Sequence, residues 1–282
     1  MPKRDRYPAG VPSFIETTQP EPEAAVAFYG GLFGWQLTDL MPPDAPGHYF
    51  EARLDGGRVA AVSSRAEFAP PGAAWNTYVA TDDADGTAAR VRAAGGTVIS
   101  EPFDVFEAGR MAAFADPEGA RFCVWQAGRT TGSEVVNVPG SWNFSELKTR
   151  DLEAAQRFYG EVFGWEFDHV DLGAGPSSMV RMPGYGDYLE SIDPGVRRRH
   201  REGGAPPGFT DAVGWFQPLD GDGPAYWNVT LAVDDADATA ARARELGGDV
   251  LLEPIDIPWS RTAVLRDPQG ATFTISQFKP PK

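Results

Sequence analysis

Two glutamates, Glu16 and Glu146, stand at the same place in the two copies of a repeated segment. The run around Glu16 alternates like a short strand. A carboxylate on such a strand can act as a general acid or base when burial in a pocket raises its pKa. The alternative is an edge glutamate that meets solvent or pairs with an arginine, and the residues alone leave both interpretations open.

Asn76 and Asn228 form a second duplicated pair. A side-chain amide donates and accepts hydrogen bonds together, so each could orient a carbonyl or hydroxyl group of a ligand. The alternative is an asparagine at the start of a strand that bonds local backbone.

The segments that carry these groups are a tandem repeat. Residues 23–30 return as residues 153–160, 130 positions later, and Trp75-Asn76 returns as Trp227-Asn228, 152 positions later. The second copy therefore contains about 22 additional residues between these segments. We predict a first domain over residues 1–130 and a second over 131–282, with an insertion near 187–210.

Each repeat divides again into two modules, each a strand, a helix and three strands. Pro22 and Gly34 are typical of a helix start and stop, and Asp82-Asp83 is typical of the cap of a second helix. In the first repeat the pattern predicts strands at residues 13–18, in the connecting run from Trp35, and at 48–52, 59–63, 76–80, 97–100, 110–115 and 121–126, with helices at 20–33 and 82–92.

Composition narrows the range of partners. The chain has 282 residues and a formal net charge of −15, which disfavours nucleic acid and anionic membrane surfaces. Cys123 is the single cysteine, so an internal disulfide is excluded, and residues 1–13 show no hydrophobic signal core. We expect a cytoplasmic monomer or homodimer whose partner is a small molecule, without nucleic acid or membrane.

The repeated motifs resemble the vicinal oxygen chelate superfamily, which includes glyoxalase I, bleomycin-resistance proteins and extradiol dioxygenases. The resemblance lies in the Phe-Tyr and Phe-Gly-Trp of the first helix and the Asp-Pro-x-Gly turn before the last strand. Residues 102–105, 109–112 and 116–120 are similar to an actinobacterial glyoxalase-like subgroup that includes accessory proteins of aromatic polyketide biosynthesis. The resemblance implies an α+β fold of tandem domains, in which four βαβββ modules form curved mixed sheets around cavities.

The same resemblance allows the metal ligands of the superfamily to be mapped onto this chain. The first position falls on Phe14 and Phe144, the fifth-strand position on Asn76 and Asn228, and the eighth-strand position on Cys123 and Thr274; the fourth strands hold no carboxylate. Phenylalanine cannot bind a metal, and amides are poor ligands for transition metals. We therefore expect no metal and no cofactor.

The resemblance also places Glu16 and Glu146 on the face that carries the metal in relatives. The residues expected to face the first pocket are Tyr78, Arg121, Cys123 and Trp125, and their equivalents in the second are Thr230, Thr272, Thr274 and Ser276. The first pocket is then aromatic and charged, the second small and polar. This divergence suggests that one of the two keeps a particular ligand.

Three further features each have two interpretations. Arg110 and Arg261 could bind an anion, or form structural salt bridges with nearby aspartates. The basic run at 197–201 could be a solvated loop, or a lid that recruits an anionic substrate or partner. Five tryptophans near strand ends could stack on a planar ligand or pack between domains: Trp75, Trp125, Trp215, Trp227 and Trp259.

The sequence thus predicts a metal-independent protein that binds a small aromatic or polyketide-like metabolite and assists an isomerisation, cyclisation, lyase or oxygenase-assisted step. Glu16 or Glu146 would be the acid/base, and Asn76 or Asn228 would position a carbonyl. One alternative is a non-catalytic protein that sequesters an antibiotic, and another is a metal-dependent glyoxalase or dioxygenase.

Overall fold

The computed structural model of the chain describes residues 3–65, 69, 71–171, 176–219 and 221–279. Within them, sixteen strands form two eight-stranded mixed sheets, one in each half. The first sheet contains β1 (Pro12–Gln19), β2 (Gln36–Asp39), β3 (Tyr49–Leu54), β4 (Gly57–Ser64), β5 (Ala74–Ala80), β6 (Thr97–Val105), β7 (Gly109–Ala115) and β8 (Arg121–Ala127). The second contains β9 (Trp142–Thr149), β10 (Glu166–Asp171), β11 (Pro176–Arg181), β12 (Ala212–Pro218), β13 (Tyr226–Ala232), β14 (Asp249–Ile257), β15 (Ser260–Arg266) and β16 (Thr272–Phe278).

The helices follow the module pattern, so the predicted α+β class and the four βαβββ modules are confirmed. The module helices are α1 (Pro22–Phe33), α2 (Ala84–Ala93), α3 (Leu152–Phe163) and α6 (Ala236–Glu245). Gly34 and Gly164 end α1 and α3 in the left-handed region, at φ 71° and 73°, where glycine avoids the strain of a Cβ. None of the helices in the described segments is long and apolar enough to cross a membrane.

Strand register places the duplicated glutamates at the centre of each sheet. The first sheet has the order β2-β3-β4-β1-β5-β8-β7-β6, and the second repeats it as β10-β11-β12-β9-β13-β16-β15-β14. Glu16 on β1 lies opposite Ala61 and Asn76, while Glu146 on β9 lies opposite Trp215 and Asn228.

The first helix of each half packs between its own sheet and the opposite half. The hydroxyl of Tyr29 on α1 donates to Asp267 of the second domain at 2.9 Å, and Tyr159 on α3 donates to Asp116 of the first domain at 3.1 Å. Both aspartates belong to the repeated Asp-Pro turns. Each helix therefore buries its aromatic face against the opposite domain, in two related core clusters.

The extra residues of the second repeat fold into helices, so the interpretation as a solvated loop is wrong. The inserted segment, defined here as residues 185–211, contains α4 (Tyr185–Ile192), α5 (Val196–Glu202) and a 3-10 turn at Phe209–Asp211. Three of its arginines pair with neighbouring acids: Arg197 with Asp187 at 2.5 Å, Arg198 with Glu202 at 3.2 Å, and Arg199 with Asp193. These pairs compensate much of the local basic charge.

Candidate functional site

A cavity of about 640 Å³ lies on the face of the second sheet. Its floor is formed by β9, β12, β13 and β16. The inserted segment and the amino-terminal segment, residues 3–8, form parts of its walls. Residues with chemical or aromatic character on its surface are Arg4, Trp142, Phe144, Glu146, Arg199, His200, Phe209, Trp215, Thr230, Trp259, Thr262, Thr274 and Ser276. The interior is mainly apolar with a few polar groups, as is typical of small-molecule sites.

The cavity is open because its floor carries small side chains. Thr230, Thr274 and Ser276 hold the register positions on β13 and β16 that Tyr78, Cys123 and Trp125 hold in the first sheet. Thr262, opposite Ser276 on β15, likewise matches Met111, opposite Trp125 on β7.

The corresponding face of the first sheet is packed. Phe14, Tyr78, Met111 and Cys123 form a buried cluster with Tyr49 and Trp125 against it. The Phe14 and Tyr78 rings meet edge to face with centroids 6.0 Å apart. Large side chains thus occupy, in the first domain, the space that small ones leave free in the second.

Glu146 is the carboxylate on the floor of the cavity. Thr230 donates to its Oε1 at 2.8 Å, and the Asn228 amide donates to its Oε2 at 2.9 Å. The same amide nitrogen donates to Thr274 at 2.9 Å, which sets the orientation of Asn228. A carboxylate has about four acceptor positions, so this arrangement holds Glu146 in place while leaving acceptor capacity for a ligand.

Glu16 is held in the packed face of the first sheet. It is buried, and it accepts hydrogen bonds from Ser63 and, at 2.7 Å, from the Tyr78 hydroxyl. Burial raises the pKa of the Glu16 carboxyl, although the two hydrogen bonds oppose this effect. Burial likewise raises the pKa of the Cys123 thiol, so this cysteine is a core residue rather than a nucleophile.

We expect Glu16→Gln to gain stability relative to the wild-type protein as the pH rises. In the unfolded chain the pKa of Glu16 is about 4.3, whereas in the folded protein it is raised, so folded Glu16 stays protonated to a higher pH. Folded wild-type protein therefore loses stability between these two pKa values, and the glutamine variant does not. Urea unfolding of both proteins at pH 4.5 and pH 8 tests this, and a constant difference in free energy of unfolding would contradict it.

His200 lines the cavity from the inserted segment. The sequence indicated a lid as one interpretation of the basic run at 197–201 but no separate role for His200. Its Nδ1 lies 3.0 Å from the Thr210 hydroxyl, and its ring meets Phe209 edge to face at 5.1 Å. Phe209 in turn contacts Phe144 on the floor at 6.0 Å. The only signal in the sequence was a histidine within a segment that the first repeat lacks.

The pKa of His200 should lie below its ordinary value and that of His48 above it. Burial lowers the pKa of His200, with Arg199 contributing, whereas the hydrogen bond to Asp39 raises the pKa of His48. Because the unfolded pKa is about 6.5, the folded protein loses the stability associated with neutral His200 as the pH falls below that value. An NMR titration of the histidine ring protons, assigned by substitution, measures the pKa values of His200 and His48. A pKa of His200 above that of His48 would refute this expectation.

Trp259 contributes a strained aromatic wall. It sits between β14 and β15 with φ 61°, a left-handed conformation that bulky residues rarely adopt, and its carbonyl accepts from the Lys279 amide at 2.9 Å. Phe106, in the corresponding turn between β6 and β7 of the first sheet, also lies in the left-handed region at φ 47°, so the conformation belongs to the hairpin turn of both sheets.

The other predicted residues lie apart from the cavity. Asn76 is half-buried opposite Glu16, the Tyr78 hydroxyl is bonded to Glu16, and Arg121 is exposed at the start of β8. Trp125 is half-buried, and its indole donates to the Thr130 carbonyl at 2.6 Å. The structure thus brings Glu146, Asn228, Thr230 and Thr274 together, and it separates them from the first-domain set.

The duplicated arginines form salt bridges. Arg110 pairs with Asp85 at 3.0 Å and Asp104 at 2.9 Å, and Arg261 pairs with Asp237 at 2.6 Å and Asp256 at 3.1 Å. The structural interpretation of these residues is confirmed.

The donor set of the second domain does not match a transition-metal site. The mapped positions hold Phe144, Asn228 and Thr274, and the latter two are hydrogen-bonded to each other. Across the described parts of the chain, no group of three or more His, Cys, Asp or Glu side chains could hold a metal ion. Phenylalanine, amide and hydroxyl side chains at these positions do not fit a transition-metal ion.

Comparison with known proteins assigns the family. Residues 14–124 match the glyoxalase/bleomycin resistance protein/dioxygenase superfamily, and residues 145–276 match a glyoxalase-like domain. The chain is 38% identical over 286 residues to CFP32 of Mycobacterium tuberculosis, provisionally named a glyoxylase, with 99% of each chain covered. It is 39% identical over 287 residues to the anthracycline biosynthesis protein DnrV of Streptomyces peucetius, with 97% of this chain and 95% of the relative covered.

Among solved structures, the Mn(II)-bound glyoxalase of Novosphingobium aromaticivorans aligns with a TM-score of 0.60 at 18% identity, covering 95% of this chain and 82% of the other. At this identity the likeness shows the fold alone. The fold and the repeated modules define a tandem glyoxalase-like protein. The chain belongs to the glyoxalase/bleomycin resistance protein/dioxygenase superfamily.

Proposed function

We propose that the second domain binds a small planar aromatic metabolite of polyketide type and catalyses a metal-independent proton transfer on it. The observation that carries the proposal is the cavity of about 640 Å³ with the hydrogen-bonded Glu146 on its floor. This volume falls within the range of about 300–1,000 Å³ that is usual for small-molecule pockets.

The walls support an aromatic ligand. Phe144 and Trp215 meet edge to face at 6.4 Å, and Phe209 and Trp259 line the same space. Flat rings stack well against such faces and gain buried apolar area. The relationship to a protein of anthracycline biosynthesis supports the same class, because anthracyclines are built on a planar fused-ring body.

The proposed chemistry is abstraction by Glu146 of a carbon-bound proton that is acidified by a conjugated ligand carbonyl, as in an isomerisation or cyclisation. Asn228 and Thr230 are then positioning residues, because their side chains hold the carboxylate. This revises the expected role of Asn228, whose amide is used by the protein rather than left free for a ligand. His200, kept neutral by its lowered pKa, lies in the cavity wall formed by the inserted segment and can exchange a proton with the ligand oxygen.

The experiment is a fluorescence titration with 2-(hydroxymethyl)anthraquinone, a neutral planar probe. We expect saturable binding at one site per chain, with quenching that decreases when Trp215 is replaced by Phe. Two equivalent sites per chain, or no saturation up to the solubility limit, would contradict the proposal.

A further inference from the structure

The amino-terminal segment, residues 3–8, belongs to the first domain in sequence but is anchored beside the second-domain cavity. The Arg4 amide donates to the Glu134 carbonyl at 2.8 Å, and the Tyr7 hydroxyl donates to the Ser133 carbonyl at 2.7 Å. From the inserted segment, the Tyr188 hydroxyl donates to the Arg6 carbonyl at 2.7 Å. These bonds hold Arg4 in the cavity wall.

The guanidinium of Arg4 is oriented by neutral groups. It donates to the Tyr185 hydroxyl, and its Cζ lies 5.2 Å from the Tyr7 ring centroid and 5.7 Å from that of Tyr185. Burial raises the pKa of both tyrosines, so neither phenol is ionised near pH 7. Cation–π contacts and a neutral hydrogen bond direct the cation without neutralising its charge.

Arg4 differs in this respect from the other arginine of the cavity wall. Arg199 forms an ion pair with Asp193. Among the described residues, no carboxylate lies within ion-pair distance of Arg4. A partly buried charge without a counter-ion is costly, and an anion that enters the cavity would relieve that cost.

We propose that the ligand of this cavity carries a carboxylate, which binds Arg4. Because Tyr185 uses one Arg4 nitrogen, the opposite edge of the guanidinium remains for the two oxygens of a carboxylate. Since Glu146 is itself acidic, the ligand carboxylate turns toward Arg4 and the carbonyl end of the ring system toward Glu146. The inference rests on the proposed aromatic ligand and adds its charge and orientation.

The test compares anthraquinone-2-carboxylate with the neutral 2-(hydroxymethyl)anthraquinone. Wild-type protein should bind the carboxylate about 10–100-fold more tightly, in line with the strength of charge-assisted hydrogen bonds. Arg4→Gln should remove this preference, so that the dissociation constants of the two probes differ by less than about threefold. Arg6→Gln is the matched control, because Arg6 lies in the same segment, 5.4 Å from the Tyr188 ring, and outside this cavity.

Equal binding of the two probes by wild-type protein would overturn the inference and leave the proposed function standing. The wild-type comparison decides this even if Arg4→Gln does not fold. Failure of both probes to bind would remove the proposed function and this inference with it. A carboxylate preference that persists in folded Arg4→Gln would also overturn the role of Arg4.

Discussion

The double substitution Thr230→Tyr and Ser276→Trp is expected to abolish probe binding in the second domain, with a loss of affinity of about 100-fold or more. The introduced side chains are those of Tyr78 and Trp125, which occupy the same register positions in the first sheet and pack its face. Two large rings on the floor would fill the space that a planar ligand needs. Fluorescence titration with 2-(hydroxymethyl)anthraquinone measures the loss.

The reciprocal variant, Tyr78→Thr with Trp125→Ser, is the control. It should leave probe affinity in the second domain unchanged but lower the free energy of unfolding by about 2–5 kcal/mol, because it leaves a void in a packed face. Urea unfolding separates this effect from binding. If the variant with Thr230→Tyr and Ser276→Trp folds correctly and still binds the probe with undiminished affinity, the ligand lies elsewhere.

Glu146→Gln is expected to reduce proton transfer by about 10²–10⁴-fold while leaving the dissociation constant of the ligand nearly unchanged. Glutamine preserves the shape, because its oxygen can accept from the Asn228 amide and its nitrogen can donate to the Thr230 hydroxyl, but it cannot take up a proton at neutral pH. Anthrone is a suitable probe because it is a planar tricyclic ketone with an acidic methylene group. Hydrogen–deuterium exchange at that position, followed by NMR in D₂O, reports the base directly.

Glu16→Gln is the matched control, because Glu16 is the equivalent carboxylate in the packed first domain. It should leave the exchange rate within about threefold of the wild-type rate. If wild-type protein binds anthrone but exchanges it no faster than buffer does, Glu146 is not a base for this substrate class. The sequestering alternative would then be favoured.

The fold was predictable because the repeat carries local signals twice. Gly34 and Gly164 end equivalent helices, and Asp83 and Asp235 both cap helices with their side chains. The contacts that the first helices make with the opposite half were not predictable. Tyr29 donates a hydrogen bond to Asp267 of the second domain, and not to Asp116, the equivalent aspartate of its own domain. Because the sequence contains two copies of each partner, it does not indicate which tyrosine pairs with which aspartate.

The candidate site was predictable in part. The change from Tyr78 and Trp125 to Thr230 and Ser276 indicated that the two faces differ, although the sequence did not say which face is open. The residues beyond the sheet were missed. Arg4 and His200 lie outside the repeated modules, so neither has a counterpart in the other repeat for comparison. The basic run at 197–201 favoured an interpretation as a solvent-exposed loop, because the sequence does not show its acidic partners, such as Asp187.

A crystal structure of the protein with bound anthraquinone-2-carboxylate tests the central claim most directly. The account predicts one probe molecule per chain in the second domain, lying between Glu146 and the inserted segment with its carboxylate on Arg4. A probe bound on the first-domain face near Tyr78, or outside both domains, would contradict it.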